Sequence, residues 1–329
     1  RIANARKGLD EAERLEEAAA TWSRLAATIE AALQKEDYWG ADQALGDLEF
    51  KQGLIKPTRK GASARRLESV RERIVELRSR LDLDKQRYLA RLNDLLERVR
   101  PPLSARNGAA VTAAIADAEK ERPDPMLQSI ALLATRRLKL GTVSPPELYR
   151  FSEDILAHSL PWRSARLQDT AAGYVKYLKD HSASPFADEA RSRLVDIEVA
   201  EIHKSRPGAL PSATQISPGK SRTFSVINVH NNTSYELTLR YSGPDSFSVV
   251  LAPNEKSAVE ILVGTYSVAA SVNSAGVKNY AGDQVSSGGN YQITFYIQSS
   301  AFPMIMPPLL PIYGFEPWPM KRLLPAYLR

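Results

Sequence analysis

The chain has 329 residues, 43% of them hydrophobic and 25% charged, a balance of water-soluble globular proteins and unlike that of disordered, collagenous or membrane-embedded chains. No run approaches 18 consecutive apolar residues, and with no cysteine the sequence excludes disulfides, thiolate nucleophiles, zinc–thiolate sites and iron–sulfur clusters. The formal net charge of +6 is small for this length and both signs are spread along the chain: residues 206–329 hold nine basic and six acidic side chains, residues 1–205 hold 35 and 32. Neither part carries a strong field, so charge gives little reason to expect a nucleic-acid partner.

The length predicts two domains. Residues 1–205 read as helical. Ala12, Leu15, Ala19, Trp22, Ala26, Ile29 and Leu33 recur at steps of three and four, the spacing of one helix face. Leu67, Val70, Ile74, Leu77 and Leu81 repeat the pattern, and Tyr88, Leu92, Leu95 and Val99 resume it after a slip near Asp82–Asp84. That is one long helix with a stutter, or two helices broken there. Each run is too short for a free coiled coil, which favours packing within a helical array.

Further along, Pro101-Pro102 is expected to stop the long helix, and Asn107 to cap the next one. Pro123-Asp124-Pro125 separates that helix from another, ending near Gly141, and Ser144-Pro145-Pro146-Glu147 is a capping box with prolines in the first turn. Leu148, Phe151 and Ile155 give the helix after it an apolar face. Residues 169–179 and 185–203 read as a last helical pair, with Tyr174, Leu178, Ala187, Ala190, Leu194 and Ile197 facing inward. The N-terminal part is thus predicted to be an antiparallel array of helical hairpins.

Composition changes at Arg206-Pro207-Gly208 and again at Ser217-Pro218-Gly219, so residues 206–219 read as a linker. Beyond it, apolar residues alternate: Phe224 and Val226; Tyr235, Leu237, Leu239 and Tyr241; Phe247, Val249 and Leu251; Val259, Ile261 and Val263; Tyr266, Val268, Ala270 and Val272; Tyr291, Ile293, Phe295 and Ile297. Period two marks strands with one buried face. Turn signals separate them at Asn231-Asn232, Ser242-Gly243-Pro244-Asp245, Pro253-Asn254-Glu255, Val263-Gly264, Ala281-Gly282-Asp283 and Ser287-Gly288-Gly289-Asn290. Residues 220–299 therefore read as a β-sandwich. The expected class is multi-domain, α then all-β, ending in an extended tail.

Residues 300–329 form that tail. Its seven prolines are interleaved with Phe302, Met304, Met306, Tyr313, Phe315, Trp318 and Tyr327. Proline forbids a regular helix there, and large apolar side chains need cover, so the segment is expected to act as a docking strap. Phe302, Met304, Met306, Tyr313, Phe315 and Trp318 are the expected partner-binding anchors; the alternative is a strap packed across its own chain.

Three stretches resemble known modules. Trp22, Leu25, Ala26 and Ile29, with Ala41, Leu45 and Leu48, resemble the two helices of a tetratricopeptide repeat. Trp162 with Asp169-Thr170-Ala171-Ala172, Tyr174, Tyr177-Leu178, Ser184-Pro185 and Ala187-Asp188-Glu189-Ala190-Arg191 resembles the repeat-like hairpins of bacterial envelope lipoproteins and caspase-associated proteins. The resemblance implies a groove offered to other proteins. Residues 231–297 resemble a small bacterial β-sandwich module, on Asn232-Thr233, Tyr235, Leu237, Tyr241-Ser242-Gly243-Pro244, Leu251-Ala252-Pro253, Gly264-Thr265-Tyr266, Val268, Ala281-Gly282 and Gly288-Gly289 through Phe295-Tyr296-Ile297. That likeness implies a bacterial origin and brings no catalytic residue.

Chemistry is sparse. His158, His181, His203 and His230 show no metal-ligand spacing, and the sequence has no HExxH, P-loop, GxSxG or GxGxxG motif. Glu16-Glu17, Glu153-Asp154 and Asp188-Glu189 fit solvated helical faces. The run Arg59, Lys60, Arg65, Arg66, Arg71, Arg73, Arg78 and Arg80 could contact phosphates, but Glu68, Glu72 and Glu76 lie among them at helical pair spacing and no aromatic residue accompanies them. Tyr280 and Tyr296 are the outward tyrosines that could stack on sugars, whereas Tyr241, Tyr266 and Tyr291 share the core parity. Asn231 and Asn232 each open a glycosylation sequon at a turn.

The expectation is a non-enzymatic scaffold, without cofactor or metal, that joins other protein subunits in a homo- or hetero-oligomer. The setting expected is a bacterial envelope-associated or extracellular assembly. The chain begins at Arg1 rather than Met, which points to a removed signal peptide or membrane anchor and through it to membrane-surface association. An accessory protein-binding module of a bacterial protease or signalling complex, bound through the groove near Trp162–Glu198, is the alternative; a glycan-binding sandwich is the second.

Overall fold

The computed structural model describes residues 2–53, 55, 61–139, 144–218, 221 and 223–297. Helices come first and strands after, in two compact units, Arg1–Asp188 and Glu189–Arg329.

The first unit holds α1 (Ile2–Gln34), α2 (Tyr38–Gly53), α3 (Ala62–Ser104), α4 (Gly108–Glu121), α5 (Pro125–Lys139), α6 (Pro145–Gln168) and α7 (Ala171–Asp180). Successive helices pack on one another, and α6 returns to touch α2 and α3. The expected stripe of α1 is its buried face, with Leu15, Ala19, Trp22, Ala26, Ile29 and Leu33 all in the core.

The long run is a single helix of 43 residues. Leu81 and Tyr88 lie seven residues apart, two turns, so the buried stripe from Leu67 to Leu103 keeps its phase. What looks like a slip is a polar turn on the stripe: Asp84 and Lys85 occupy it, and Lys85 Nζ sits 2.8 Å from Asp42 of α2. Pro101-Pro102 does not stop the helix, which runs on to Ser104. A proline costs its own N–H and crowds the carbonyl four residues earlier, leaving its own carbonyl free to accept. Those of Pro101 and Pro102 take the N–H groups of Ala105 (2.9 Å) and Asn107 (2.8 Å), and Arg106, at a φ of 55°, turns the chain.

Asn107 caps α4, its Oδ1 accepting the N–H of Ala110 at 3.0 Å. The capping box at Ser144 and Glu147 is formed, the Glu147 carboxylate accepting the Ser144 N–H at 2.8 Å. The arginines of α3 are tied to carboxylates: Arg66 to Glu16 (2.9 Å) and Arg73 to Glu30 (2.7 Å) on α1, Arg78 to Asp42 (2.5 Å) and Glu49 (2.7 Å) on α2, and Arg71 to Glu68 (3.1 Å) along the helix. The basic run is thus largely a set of clasps between helices; Arg59 and Lys60 lie outside the described residues.

The second unit opens with helix α8 (Ala187–Lys204), assigned to this unit from Glu189 onward. Among the described residues its strands are β1 (Gly208–Ala209), β2 (Thr214–Pro218), β3 (Phe224–Asn232), β4 (Leu237–Ser242), β5 (Phe247–Leu251), β6 (Lys256–Leu262), β7 (Gly264–Val272), β8 (Tyr280–Ser286) and β9 (Gly289–Tyr296). They form two sheets, ordered β1-β8-β7-β4-β5 and β2-β9-β3-β6. Ile227, Val229, Leu237, Leu239, Tyr241, Leu251, Ile261, Tyr266, Val268, Ile293 and Phe295 from both sheets make one core. Tyr241, Tyr266 and Tyr291 are buried as their parity predicts.

Three details differ from the sequence expectation. The stretch 206–219 contributes β1, parallel to β8, and β2, antiparallel to β9. β3 buries Ser225, Ile227, Val229 and Asn231, so Phe224 and Val226 lie on the opposite face from the core. The strand is longer than the Phe224–Val226 pair suggested, and the aliphatic Ile227 and Val229 outweigh that pair, whose side chains stay partly exposed. Ala281-Gly282-Asp283 is no turn but the middle of β8, an antiparallel neighbour of β7 whose buried positions include the polar Gln284 and Ser286. Polar inward residues hid the alternation. The turn expected at Gly288-Gly289 is formed and carries the chain from one sheet to the other, with Gly288 at a φ of 84°.

α8 uses a different face from the one expected. Val195 and Val199, with Ile202 beside them, pack on Ala269 and Ala281 of β7 and β8. Leu194 and Ile197 are half-buried. Glu198 pairs with Arg240 of β4, and Asp196 accepts hydrogen bonds from Ser242 and Ser246 at 2.6 Å each. The helix is therefore an outer layer on the five-stranded sheet.

Candidate functional site

The six expected partner-binding anchors, Phe302, Met304, Met306, Tyr313, Phe315 and Trp318, lie outside the described residues. Within the described residues the helical unit offers two places where functional side chains converge, and the sandwich one.

The first centres on Arg163 of α6, which is only 5% exposed. Its guanidinium pairs with Asp124 at 2.9 Å, ahead of α5, and with Glu36 at 3.1 Å, in the α1–α2 turn, and also donates to the Glu36 carbonyl. It lies over the rings of Tyr88 (5.0 Å) and Tyr38 (5.7 Å). Arg122 reaches the same Glu36 carboxylate. One buried cation thus binds α1, α2, α3, α5 and α6 together, and its five N–H groups suit that task better than the three of a lysine. The Tyr88 hydroxyl is buried without a partner, and burial drives its pKa up strongly. Burial also raises that of Tyr38, against the nearby Arg163 charge. A tyrosine held neutral beside a saturated ion pair is a packing element rather than a proton carrier.

Next to this hub, α3 and the α4–α5 hairpin enclose a cleft of about 390 Å³. Leu92, Leu95, Ala118, Met126 and Leu127 supply its apolar surface. Its rim carries Arg91, Asp94, Arg98, Glu121 and Arg122, with Arg98 3.4 Å from Asp94 and 3.5 Å from Glu121. An apolar floor with a charged rim is a composition common to protein-binding patches. The groove expected near Trp162–Glu198 is different in character. Trp162 is fully buried, stacked on Phe186 at 5.5 Å and flanked by Tyr174 and Tyr177, with its indole N–H on Ser129 at 2.9 Å. Of the residues carrying the hairpin resemblance, Trp162, Tyr174, Tyr177, Ser184, Ala187 and Ala190 are buried, while Asp169, Thr170, Ala172, Asp188 and Arg191 are exposed.

The second place holds His158 of α6 and His181, which ends α7. Their rings lie 5.8 Å apart, edge to face, with Trp39 6.0 Å and Tyr177 5.1 Å from His181. Burial, and then the neighbouring His158, lower the pKa of His181. No sequence spacing signals this pair, 23 positions apart, because α6 and α7 must fold back on each other to form it. Among the described residues no group of three or more His, Asp or Glu side chains stands ready to hold a metal ion.

In the sandwich, Asn231 is fully buried and its amide donates to the carbonyls of Tyr235 (2.8 Å), Leu251 (3.2 Å) and Ala252 (2.8 Å). Thr233 closes the corner by donating to Asn231 Oδ1 at 2.7 Å. The first sequon is therefore a structural corner, and its amide nitrogen is out of reach of a glycan. The Tyr280 ring lies close against Gly208, where an added Cβ would meet it at 2.4 Å, so one of the two tyrosines named for sugar stacking packs on β1. No family model, no curated protein and no solved structure matches this chain.

Proposed function

We propose that the chain is a non-enzymatic scaffold that joins protein subunits, using the apolar-floored cleft of its helical unit and the strap at residues 300–329. The observation that carries this reading is the cleft between α3 and α4–α5, on whose rim Arg98 is paired with Asp94 and Glu121 and whose floor is five apolar side chains. The interior charges support the same use: Arg163, Asp124 and Glu36 are spent on each other, which fixes geometry without leaving a poised acid or base. The resemblance of both modules to bacterial proteins supports placement in an envelope-associated or extracellular bacterial assembly, as a homo- or hetero-oligomer. The accessory role in a protease or signalling complex, expected at the groove near Trp162–Glu198, is the alternative reading.

Light scattering on the full chain tests this. A mass above that of one chain, or a stable complex with a subunit from the source cells, is expected, and Phe315→Asp with Trp318→Asp should return the chain to monomer with its circular dichroism unchanged. A parent chain and variant with identical masses and partners would contradict the reading.

A further inference from the structure

The four-stranded sheet turns one face to the sandwich core, and the strand register fixes what lies on the other. One row across that outer face reads Thr214 on β2, Gln292 on β9, Asn228 on β3 and Ala258 on β6. In the next row Asn290 of β9 stands between Ser217 and Val226. Thr214, Gln292 and Ala258 are exposed, and Asn228 and Asn290 are half-buried.

Polar side chains on the outer face of a sandwich are ordinary, but carboxamides in the middle of one are not. Asparagine is depleted in strands, yet Asn228 and Asn290 occupy the two central strands, with Gln292 next to both. Each asparagine is oriented by a bond of its own: Asn228 Nδ2 donates to the Tyr291 carbonyl at 3.1 Å, and Asn290 Nδ2 donates to Ser217 Oγ at 2.9 Å. A carboxamide has two N–H donors and a carbonyl with two lone pairs, so one such bond fixes the group and uses one donor. Held on paired strands, these groups are ordered before a ligand arrives, which lowers the entropy cost of binding.

The chemistry of the row selects its occupant. Lys256 and Glu260 of β6 stand on either side of Ala258 with opposite charge, so this stretch of the edge carries no net field to draw an ion. A protein interface has an apolar centre with aromatic anchors, whereas the centre of this row is Gln292 and Asn228. At about 4.8 Å between neighbouring strands the row spans about 14 Å, the footprint of a chain of sugars rather than of a single one. Sugar hydroxyls both donate and accept, which matches carboxamides and threonine. Ala258, short between two long side chains, leaves the row open at its β6 end.

We propose that the outer face of the four-stranded sheet binds an uncharged polysaccharide, whose chain crosses the strands along Thr214, Gln292, Asn228 and Ala258. The sugar contact expected of Tyr280 and Tyr296 passes to amides for which the sequence has no motif, because Asn228 meets β9 across 63 positions.

Titrating the full chain with cellohexaose, chitohexaose and maltohexaose, followed by NMR, tests this. At least one of them should shift the side-chain amide resonances of Asn228, Asn290 and Gln292 saturably. Gln292→Ala and Asn290→Ala should each weaken that binding at least about threefold, the loss of one hydrogen bond, with the backbone amides of Ile293 and Phe295 reporting an intact sandwich. Hexagalacturonic acid, which carries a carboxylate on every ring, should bind no more tightly. Absence of shifts with all three neutral chains, shifts centred elsewhere on the protein, unchanged affinity in both variants, or tighter binding of the acidic chain would each overturn the proposal.

Discussion

Arg163 shows how much one residue can organise. It is nearly fully buried, pairs with two carboxylates and covers two tyrosine rings, so removing it leaves Asp124 without its cation and Glu36 with Arg122 alone. Breaking a buried pair in this way costs about 3–5 kcal/mol, and Arg163→Ala should lose that much in urea unfolding, whereas Arg66→Ala, an exposed pair, should lose less than about 1 kcal/mol. Two titrations belong to the same scale. For Asp42, burial works against ionisation, but hydrogen bonds from Lys85 and Arg78 outweigh it and hold the carboxyl below its ordinary value. A depressed carboxyl contributes stability that is complete above the unfolded value, near 4, and lost as pH falls through the folded one. Asp42→Asn should therefore flatten the acid limb of a stability–pH curve below about pH 4. His181 is depressed as well, so its neutral form is the folded one: stability is full above about pH 6.5 and declines as pH falls below it. His181→Gln should remove that decline, which thermal melts between pH 5 and 7 would measure.

At the scale of elements, the helix faces were legible because burial and the 3.6-residue period agree, as in α1, and the capping signals at Asn107 and Ser144 sit where their side chains bond. The errors have physical causes. The polar turn at Asp84–Lys85 is hidden because its partner, Asp42, belongs to another helix. β8 was missed because Gln284 and Ser286 face inward, and sequence alternation detects apolar inward residues only. α8 turns Val195 and Val199 to Ala269 and Ala281, where the small side chains let a helix lie close to a sheet. Enlarging one of them overpacks that layer: Ala269→Leu should destabilise the sandwich by about 1–3 kcal/mol in denaturant unfolding, with the helical unit unaffected.

For the whole molecule, the order of helices then strands follows from the sequence, since periodicity changes from 3.6 to 2 near residue 206. The candidate site was far less legible. The cleft joins residues of α3 with others some 30 positions on, and Arg163 reaches Glu36 across 127 positions. Neither has a local motif, because each exists only once several helices have packed. What the sequence does display is a segment, residues 300–329, rich in proline and aromatic residues, and the proposed scaffold role is tested by what that segment touches. Placing a photoreactive benzophenone amino acid at position 318 in the full chain, and irradiating it in the source cells, tests this most directly. The account predicts one adduct of defined mass joining the strap to a second polypeptide, lost when Phe315 is changed to Asp. Adducts confined to the chain itself would contradict it.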